Sequence, residues 1–405
     1  MTDIAVFTLT SPLHDPLSVA NETEHFLAEL GIDYELKNDS YDEYGKYLLN
    51  LIYVRTGGTE GIYKDRFDTL RKQSKKFYLL TFGKSNSLAA SMEILSYLRQ
   101  QGADGEILHG NTAYLRQRIG MLVRVEHARR KLFGCRLGVI GRPSDWLISS
   151  IYNPDKLNSI LGIDLVDISI DEIIDEVNHC SLPVSNEVTL REDVRKALPG
   201  AEQIYVALRN LVQKYQLQGF TIRCFDLLSA VKNTGCLALA RLNGDGIVAG
   251  CEGDVPSMLS MMVARSLTGS SGFQANPARI NPESGELLFA HCTIPLDMVD
   301  SYELDTHFES GIGVGIRGFV EEGPMTIFKL AGDLSRMFVA QGTLIRNQAE
   351  NGLCRTQQVI RLNDARQAKY FLTNPIGNHH IIMKGNHQEE LEELLGMQGN
   401  SNENK

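Results

Sequence analysis

The stretch Ile247-Val248-Ala249-Gly250-Cys251-Glu252-Gly253-Asp254-Val255-Pro256 runs from an apolar segment into two carboxylates and a proline. A short apolar run, a glycine turn and a proline near the first helical position read as strand, turn and helix. The helix continues over 256–267 and closes in Thr268-Gly269-Ser270-Ser271-Gly272. A strand that hands over directly to a helix is the unit of an open α/β sheet, and ligands bind in such sheets beyond the carboxyl ends of the strands. Glu252 and Asp254 stand at that edge. Asp254 is where an N-cap belongs, a role aspartate fills well. Glu252 precedes the turn and is free to point into a cleft.

Outward from this stretch the same alternation holds. Towards the N-terminus, strands are expected over 4–9, 48–54 and 77–82, with helices over 17–30, ending at Gly31, and 87–99, with Gly102 beyond it. The second strand closes in the turn-rich Arg55-Thr56-Gly57-Gly58-Thr59-Glu60-Gly61. A long helical segment, about 112–132, leads to Gly134 and a fresh strand at 136–140, which sets a domain boundary at 134. Strands over 164–168 and 220–225 and helices over 171–177 and 201–215 continue the pattern. Beyond 270 the texture changes to consecutive strands, over 287–290, 311–320, 325–330, 358–362 and 380–383, before a last helix at 388–395. The expectation is α/β domains at 1–134 and 135–270, a β-rich, barrel-like domain at 271–396, and a disordered tail at 397–405.

The composition is ordinary for a globular α/β chain: 405 residues, 43% hydrophobic, 22% charged, 36 glycines. A net charge of −10 argues against a nucleic-acid partner, because a phosphate backbone is bound by clustered lysine and arginine. The run Arg129-Arg130-Lys131 is too short for that and reads as a solvated helix end. Seven cysteines, an odd number with no CxxC, point to neither a disulfide framework nor a zinc knot. No apolar stretch reaches bilayer length, and the start lacks a secretory pattern, so no membrane partner and a reducing cytoplasm are expected.

Other constellations are weaker singly. Gly311-Ile312-Gly313-Val314-Gly315-Ile316-Arg317-Gly318 contains GxGxxG, but its glycines alternate with apolar residues and no helix pattern follows. It reads as a strand whose glycine face lies close to another element, not as a dinucleotide loop. His291 ends Leu288-Phe289-Ala290-His291, and His379-His380 follow Gly377-Asn378. Adjacent residues of a strand point to opposite faces, so at most one of that pair faces a given site. His307 and Trp146 are candidate substrate contacts, weighed against a surface histidine and a packed tryptophan. Asp254 is counted with them, with capping as its competing role.

The run from Cys236 through Arg241 and Gly246 to Cys251-Glu252-Gly253-Asp254 resembles the segment that delivers the metal-binding glutamate in the fucose and arabinose isomerase superfamily. Residues 273–291, Gly323-Pro324-Met325-Thr326, and Gly377-Asn378-His379-His380 with Gly385 resemble later family motifs in the same order. The likeness is strong over 224–396. It implies two Rossmann-like (flavodoxin-like) domains, a β-rich C-terminal domain, and a homo-oligomer, trimer or hexamer. It further implies a divalent metal, typically Mn²⁺, and an aldose–ketose isomerisation of a small-molecule sugar through an ene-diolate. By the resemblance, Glu252 matches the first metal-binding carboxylate and base, His291 a histidine ligand, and His380 the C-terminal histidine ligand. The second carboxylate falls at or beside Asn276, counted here with the catalytic and metal residues. An amide oxygen can coordinate but cannot take a proton at neutral pH. Asp254, Glu283, Glu286 and Glu309 are candidates to compensate. A sugar-binding relative without catalysis is the alternative.

Overall fold

The structure is a computed structural model that describes residues 2–180 and 191–397. The chain divides into two compact units, Met1–His127 and Ala128–Lys405.

In the first unit, β1 (Ile4–Leu9), β2 (Glu35–Asn38), β3 (Leu49–Val54), β4 (Lys76–Leu80) and β5 (Asp104–Leu108) form a parallel sheet in the order β2-β1-β3-β4-β5. That is the flavodoxin-like order. Its central strands are continuous apolar runs because helices bury both faces. Val6, Leu51, Tyr53 and Leu80 pack with helices Pro16–Leu30 and Thr112–Leu132, and Phe7, Ile52, Val54 and Leu79 pack with Glu60–Leu70 and Ser87–Gln100. The first helix is bounded as its sequence dictates, with Asp15 accepting from the Ser18 amide at 2.8 Å and Gly31 closing it at φ +62°. The two edge strands, β2 and β5, were not foreseen. Both are short and largely polar, as edges are, and carry little apolar periodicity.

The second unit opens with another parallel sheet. Strands β6 (Arg136–Ile140), β7 (Asp164–Ile168), β8 (Gly219–Ile222) and β9 (Val248–Gly250) lie in the order β7-β6-β8-β9. The strand expected over 220–225 stops at Ile222, where the chain turns at Arg223 into helix Cys224–Val231. The helix expected over 201–215 begins earlier, as Glu192–Tyr215, and accommodates Pro199.

Beyond this sheet come β10 (Phe273–Asn281), β11 (Glu286–His291), β12 (Ser301–Asp305), β13 (Gly315–Phe319), β14 (Gly323–Leu330), β15 (Met337–Gln348), β16 (Thr356–Leu362) and β17 (His380–Lys384). Six of them close an antiparallel barrel, β10-β11-β16-β15-β14-β17, with β17 returning to β10, and β12 pairs with β13 apart from it. Phe273, Phe289, Ile327, Phe338, Ile360 and Ile382 fill the core, since so narrow a barrel holds side chains only. The second sheet and the barrel both lie in the one compact unit Ala128–Lys405. Helix Val255–Thr268 packs against β9 and against β14 and β17, and is buried nearly all round for that reason.

The strand expected over 311–320 begins only at Gly315, because Gly311 and Gly313 sit at φ +68° and +67°. A Cβ on Gly313 would lie 2.5 Å from Thr234 Oγ1, which is hydrogen-bonded to both the amide and the carbonyl of Val314. The tail from 398 onward lies outside the described residues. Among those residues, no helix is long and apolar enough to cross a membrane.

Candidate metal centre

Strand β9 ends at Gly250, and its turn holds Glu252 at φ +64°, a left-handed conformation that costs a non-glycine residue about 1 kcal/mol or more. The surroundings impose it. Gly253, at φ +70°, lies so close to the neighbouring loop that a Cβ there would sit 2.5 Å from the Arg142 carbonyl oxygen. Its amide donates to Ile222 O at 2.9 Å, and the Ser144 amide donates to Glu252 O at 2.9 Å. Arg223 secures the same loop, bonding Pro143 O at 2.6 Å and the Asp145 carboxylate at 2.7 Å. Strain at one residue, fixed by neighbours on both sides, is the usual mark of a working position.

The buried Glu252 carboxylate meets three side chains. Trp146 Nε1 donates to Oε2 at 2.6 Å, while Oε1 lies 3.4 Å from His379 Nε2 and 3.7 Å from His291 Nε2. The two imidazoles face each other at 75°, with centroids 5.3 Å apart. His379 is fully buried, and its Nδ1 bonds Asp254 Oδ2 at 2.8 Å. A carboxylate only accepts, so Nδ1 carries a proton, and in the neutral ring the Nε2 lone pair is turned towards Glu252 and His291. His291 Nδ1 lies 3.0 Å from Thr293 Oγ1 in the same kind of backing contact.

His379 Nε2 is buried and makes no hydrogen bond. Leaving such an atom unpaired costs roughly 1–3 kcal/mol, so it calls for an explanation. Glu252, His291 and His379 each offer one ligand atom, all within 4.8 Å of one another. A divalent cation would satisfy the orphaned nitrogen and the carboxylate together, and a carboxylate with two imidazoles suits a first-row divalent ion. The electrostatics agree. Burial alone would raise the Glu252 pKa, but the two imidazoles hold it well below the usual carboxylate range. Burial would lower that of His379, but Asp254 and Glu252 push it up to about 9. A metal ion would take the place of that proton.

Asp254 does not reach a substrate. It is fully buried, caps helix Val255–Thr268 by accepting from the Ser257 amide at 3.0 Å and hydroxyl at 2.7 Å, and faces Lys329 Nζ at 3.5 Å. The capping reading therefore replaces the substrate-contact one, with the orientation of His379 as a second duty. His380 is likewise displaced from its expected place. Its Nδ1 donates to Asn378 O at 3.1 Å and its Nε2 bonds the Tyr370 hydroxyl at 3.0 Å, with the Phe371 ring 4.8 Å away. Burial holds its pKa down to about 3, so it is a neutral core histidine with both nitrogens engaged. Its neighbour His379 takes the position against Glu252, because adjacent residues face opposite ways.

A cleft adjoins the centre and is lined by Glu252, His291, Asn276, His307, Glu309 and Phe225, among others. Asn276 and His307 thus share one cleft with two members of the cluster. Burial lowers the His307 pKa, and its ring meets Phe225 edge-on at 5.9 Å. Trp146 is half exposed, packs perpendicular to Phe225 at 5.0 Å, and braces Glu252 rather than standing as a packed core residue. Of the four carboxylates named as compensators, Glu309 alone lines the cleft. Glu283 is exposed in a turn, Glu286 pairs with Arg361 at 2.7 Å, and Asp254 is engaged as above. Sequence reasoning named Glu309 only as one of four candidates and missed His379 as the facing histidine.

No family model matches the chain. It is similar to proteins named sulfoquinovose isomerase. The one from Priestia aryabhattai is 23% identical over 285 residues, covering 64% of this chain and 62% of the relative. That from Alkalicoccus urumqiensis is 26% identical over 223 residues, covering 51% and 49%. That from Clostridium sp. (strain MSTE9) is 23% identical over 188 residues, covering 43% and 41%. The chain therefore spans less than two thirds of the length of the curated relatives it matches.

Proposed function

We propose that this chain is a metal-dependent aldose–ketose isomerase acting on a monosaccharide or derivative, with Glu252, His291 and His379 as ligands of a divalent ion, Mn²⁺ by preference. The observation that carries the reading is the orphaned, fully buried Nε2 of His379, aimed at a carboxylate beside a cleft that also receives Asn276 and Glu309. The relatives named as sugar isomerases support the reaction class.

When bound, the ion supplies Lewis-acid stabilisation of the charge that develops on the sugar oxygens in an ene-diolate. The chain's own residues do the rest. Trp146 and the strained turn fix Glu252, and Asp254 fixes the tautomer of His379. Both Glu252 oxygens are occupied, one by the indole and one by the ligand cluster, so the carboxylate that moves the proton between adjacent sugar carbons is assigned to Glu309. Asn276 binds hydroxyls and adds a neutral ligand oxygen, and His307 offers a largely uncharged imidazole to the same cleft. The working form is a homo-oligomer, trimer or hexamer, in the cytoplasm.

The test is to load the full chain with Mn²⁺ and follow aldoses and ketoses in deuterated buffer by NMR. Interconversion with solvent deuterium entering the carbon adjacent to the carbonyl is expected, and Glu309→Gln is expected to abolish it while metal stays bound. Metal binding without exchange on any sugar would favour the sugar-binding alternative, which the neutral Asn276 makes the natural second reading. Failure to bind metal would remove both the ion and the isomerase. Asn276→Asp adds a charge to the ligand set and is expected to tighten Mn²⁺ by about tenfold, read by calorimetry. Unchanged affinity would place Asn276 outside the ion's reach.

A further inference from the structure

Five of the seven cysteines, Cys224, Cys236, Cys251, Cys292 and Cys354, line the cleft beside the metal centre. Nothing in the isomerase reading uses them. Two are closely matched: Cys224 Sγ and Cys251 Sγ lie 3.1 Å apart, about 1 Å beyond the length of a disulfide bond. Both meet the cleft, Cys224 partly exposed and Cys251 buried. Both thiols are free.

We propose that Cys224 and Cys251 form a peroxide-sensitive dithiol, and that closing its disulfide distorts the turn that presents Glu252. In the first step the Cys224 sulfur attacks one oxygen of hydrogen peroxide. The O–O bond breaks, a sulfenic acid forms, and the departing hydroxide takes the thiol proton to leave as water. Cys251 sulfur then attacks Cys224 Sγ, the S–O bond breaks, and the second hydroxide leaves with the Cys251 proton as water. The two thiols lose two electrons and two protons, and the peroxide becomes two waters.

The pair is wired to the centre at both ends. Cys251 precedes Glu252, and that turn cannot yield elsewhere, because Gly253 is pressed against Arg142 O and the Glu252 carbonyl is held by Ser144. Cys224 precedes Phe225, which supports Trp146 edge-on at 5.0 Å, and Trp146 holds Glu252 Oε2. Drawing the sulfurs together therefore moves the ligand and its brace at once. The loss of cation binding rests on Glu252 being a metal ligand, whereas formation of the bond does not.

The test treats the reduced full chain with hydrogen peroxide, alkylates the remaining thiols and maps the non-reduced digest by mass spectrometry. A peptide crosslinked through Cys224 and Cys251 is expected as the main product, reversed by a phosphine reductant and absent from Cys224→Ser and, independently, from Cys251→Ala. Thiols that both stay alkylatable, overoxidation without a crosslink, or a crosslink only between Cys292 and Cys354 would overturn the proposal. On oxidation, Mn²⁺ affinity is expected to fall about tenfold or more in the parent chain, and to stay at its own reduced-state value in either variant. A crosslink that forms while the parent's affinity holds would overturn the coupling to Glu252.

Discussion

The two parallel sheets each end a strand in a glycine-bearing turn that opens a helix, yet the turns finish in different states. After β3, the buried hydroxyls of Thr56 and Thr59 are consumed locally: Thr56 Oγ1 accepts from the Ser11 amide at 2.9 Å, Thr59 Oγ1 donates to Thr56 O at 3.0 Å, and the Gly57 amide donates to Ser85 O at 2.7 Å. After β9, the same edge carries a strained glutamate whose nearest imidazole nitrogen has no hydrogen bond at all. Neutral hydroxyls satisfied by nearby backbone groups build a rigid turn. A carboxylate facing two imidazoles leaves charge and lone pairs that only a further group can satisfy. The sheet edge offers a place, and the residue types decide whether anything binds there.

The contrast can be broken most forcefully at the histidine pair. His379→Gln is expected to weaken Mn²⁺ by more than about 100-fold, beyond what loss of an outer partner does, while His380→Leu leaves the affinity unchanged and costs about 1–3 kcal/mol of stability as its hydrogen bonds go. Calorimetric titration and denaturant unfolding read both, and the reverse pattern would restore His380 to the ligand role. Trp146→Phe keeps the ring against Phe225 but removes the donor to Glu252, so affinity is expected to fall about tenfold with stability nearly intact. The smallest effect separates the turns themselves. Gly253→Ala meets the Arg142 carbonyl at 2.5 Å as well as a positive φ and is expected to cost about 2–4 kcal/mol, whereas Gly58→Ala, with only Ser11 Oγ at 3.3 Å, costs about 1 kcal/mol. Equal losses in thermal melts would show that the Glu252 turn is under no special constraint.

How much of this was legible depended on what each signal encodes. Long, strongly periodic elements and helices with clear caps were readable, as Asp15 and Gly31 show, and so was the change to a barrel beyond 270. Edge strands β2 and β5 carry little apolar pattern, and β15 was passed over because its polar positions broke the run. Glu252 was readable because a strand, a turn and a helix bracket it. The histidine was assigned by motif resemblance, which fixes a neighbourhood but not a face. The face was in principle recoverable: Phe273 and Ala275 are the apolar positions of β10, and their partners on β17 are Ile382 and His380. That register puts His380 in the core with them, and leaves His379 on the side of Gln274 and Asn276, where Gln274 already accepts from the Cys251 amide at 2.9 Å. Glu309 lies in an irregular loop, where sequence spacing carries no three-dimensional information.

The most direct test of the whole account is a calorimetric titration of Mn²⁺ into the full chain and into Glu252→Gln, with Thr56→Val as the control from the other turn. The parent and the Thr56 variant are expected to bind a single ion per chain with equal affinity, and the Glu252 variant to bind none. A parent chain that takes up no ion, or a Glu252 variant that binds as the parent does, would contradict it.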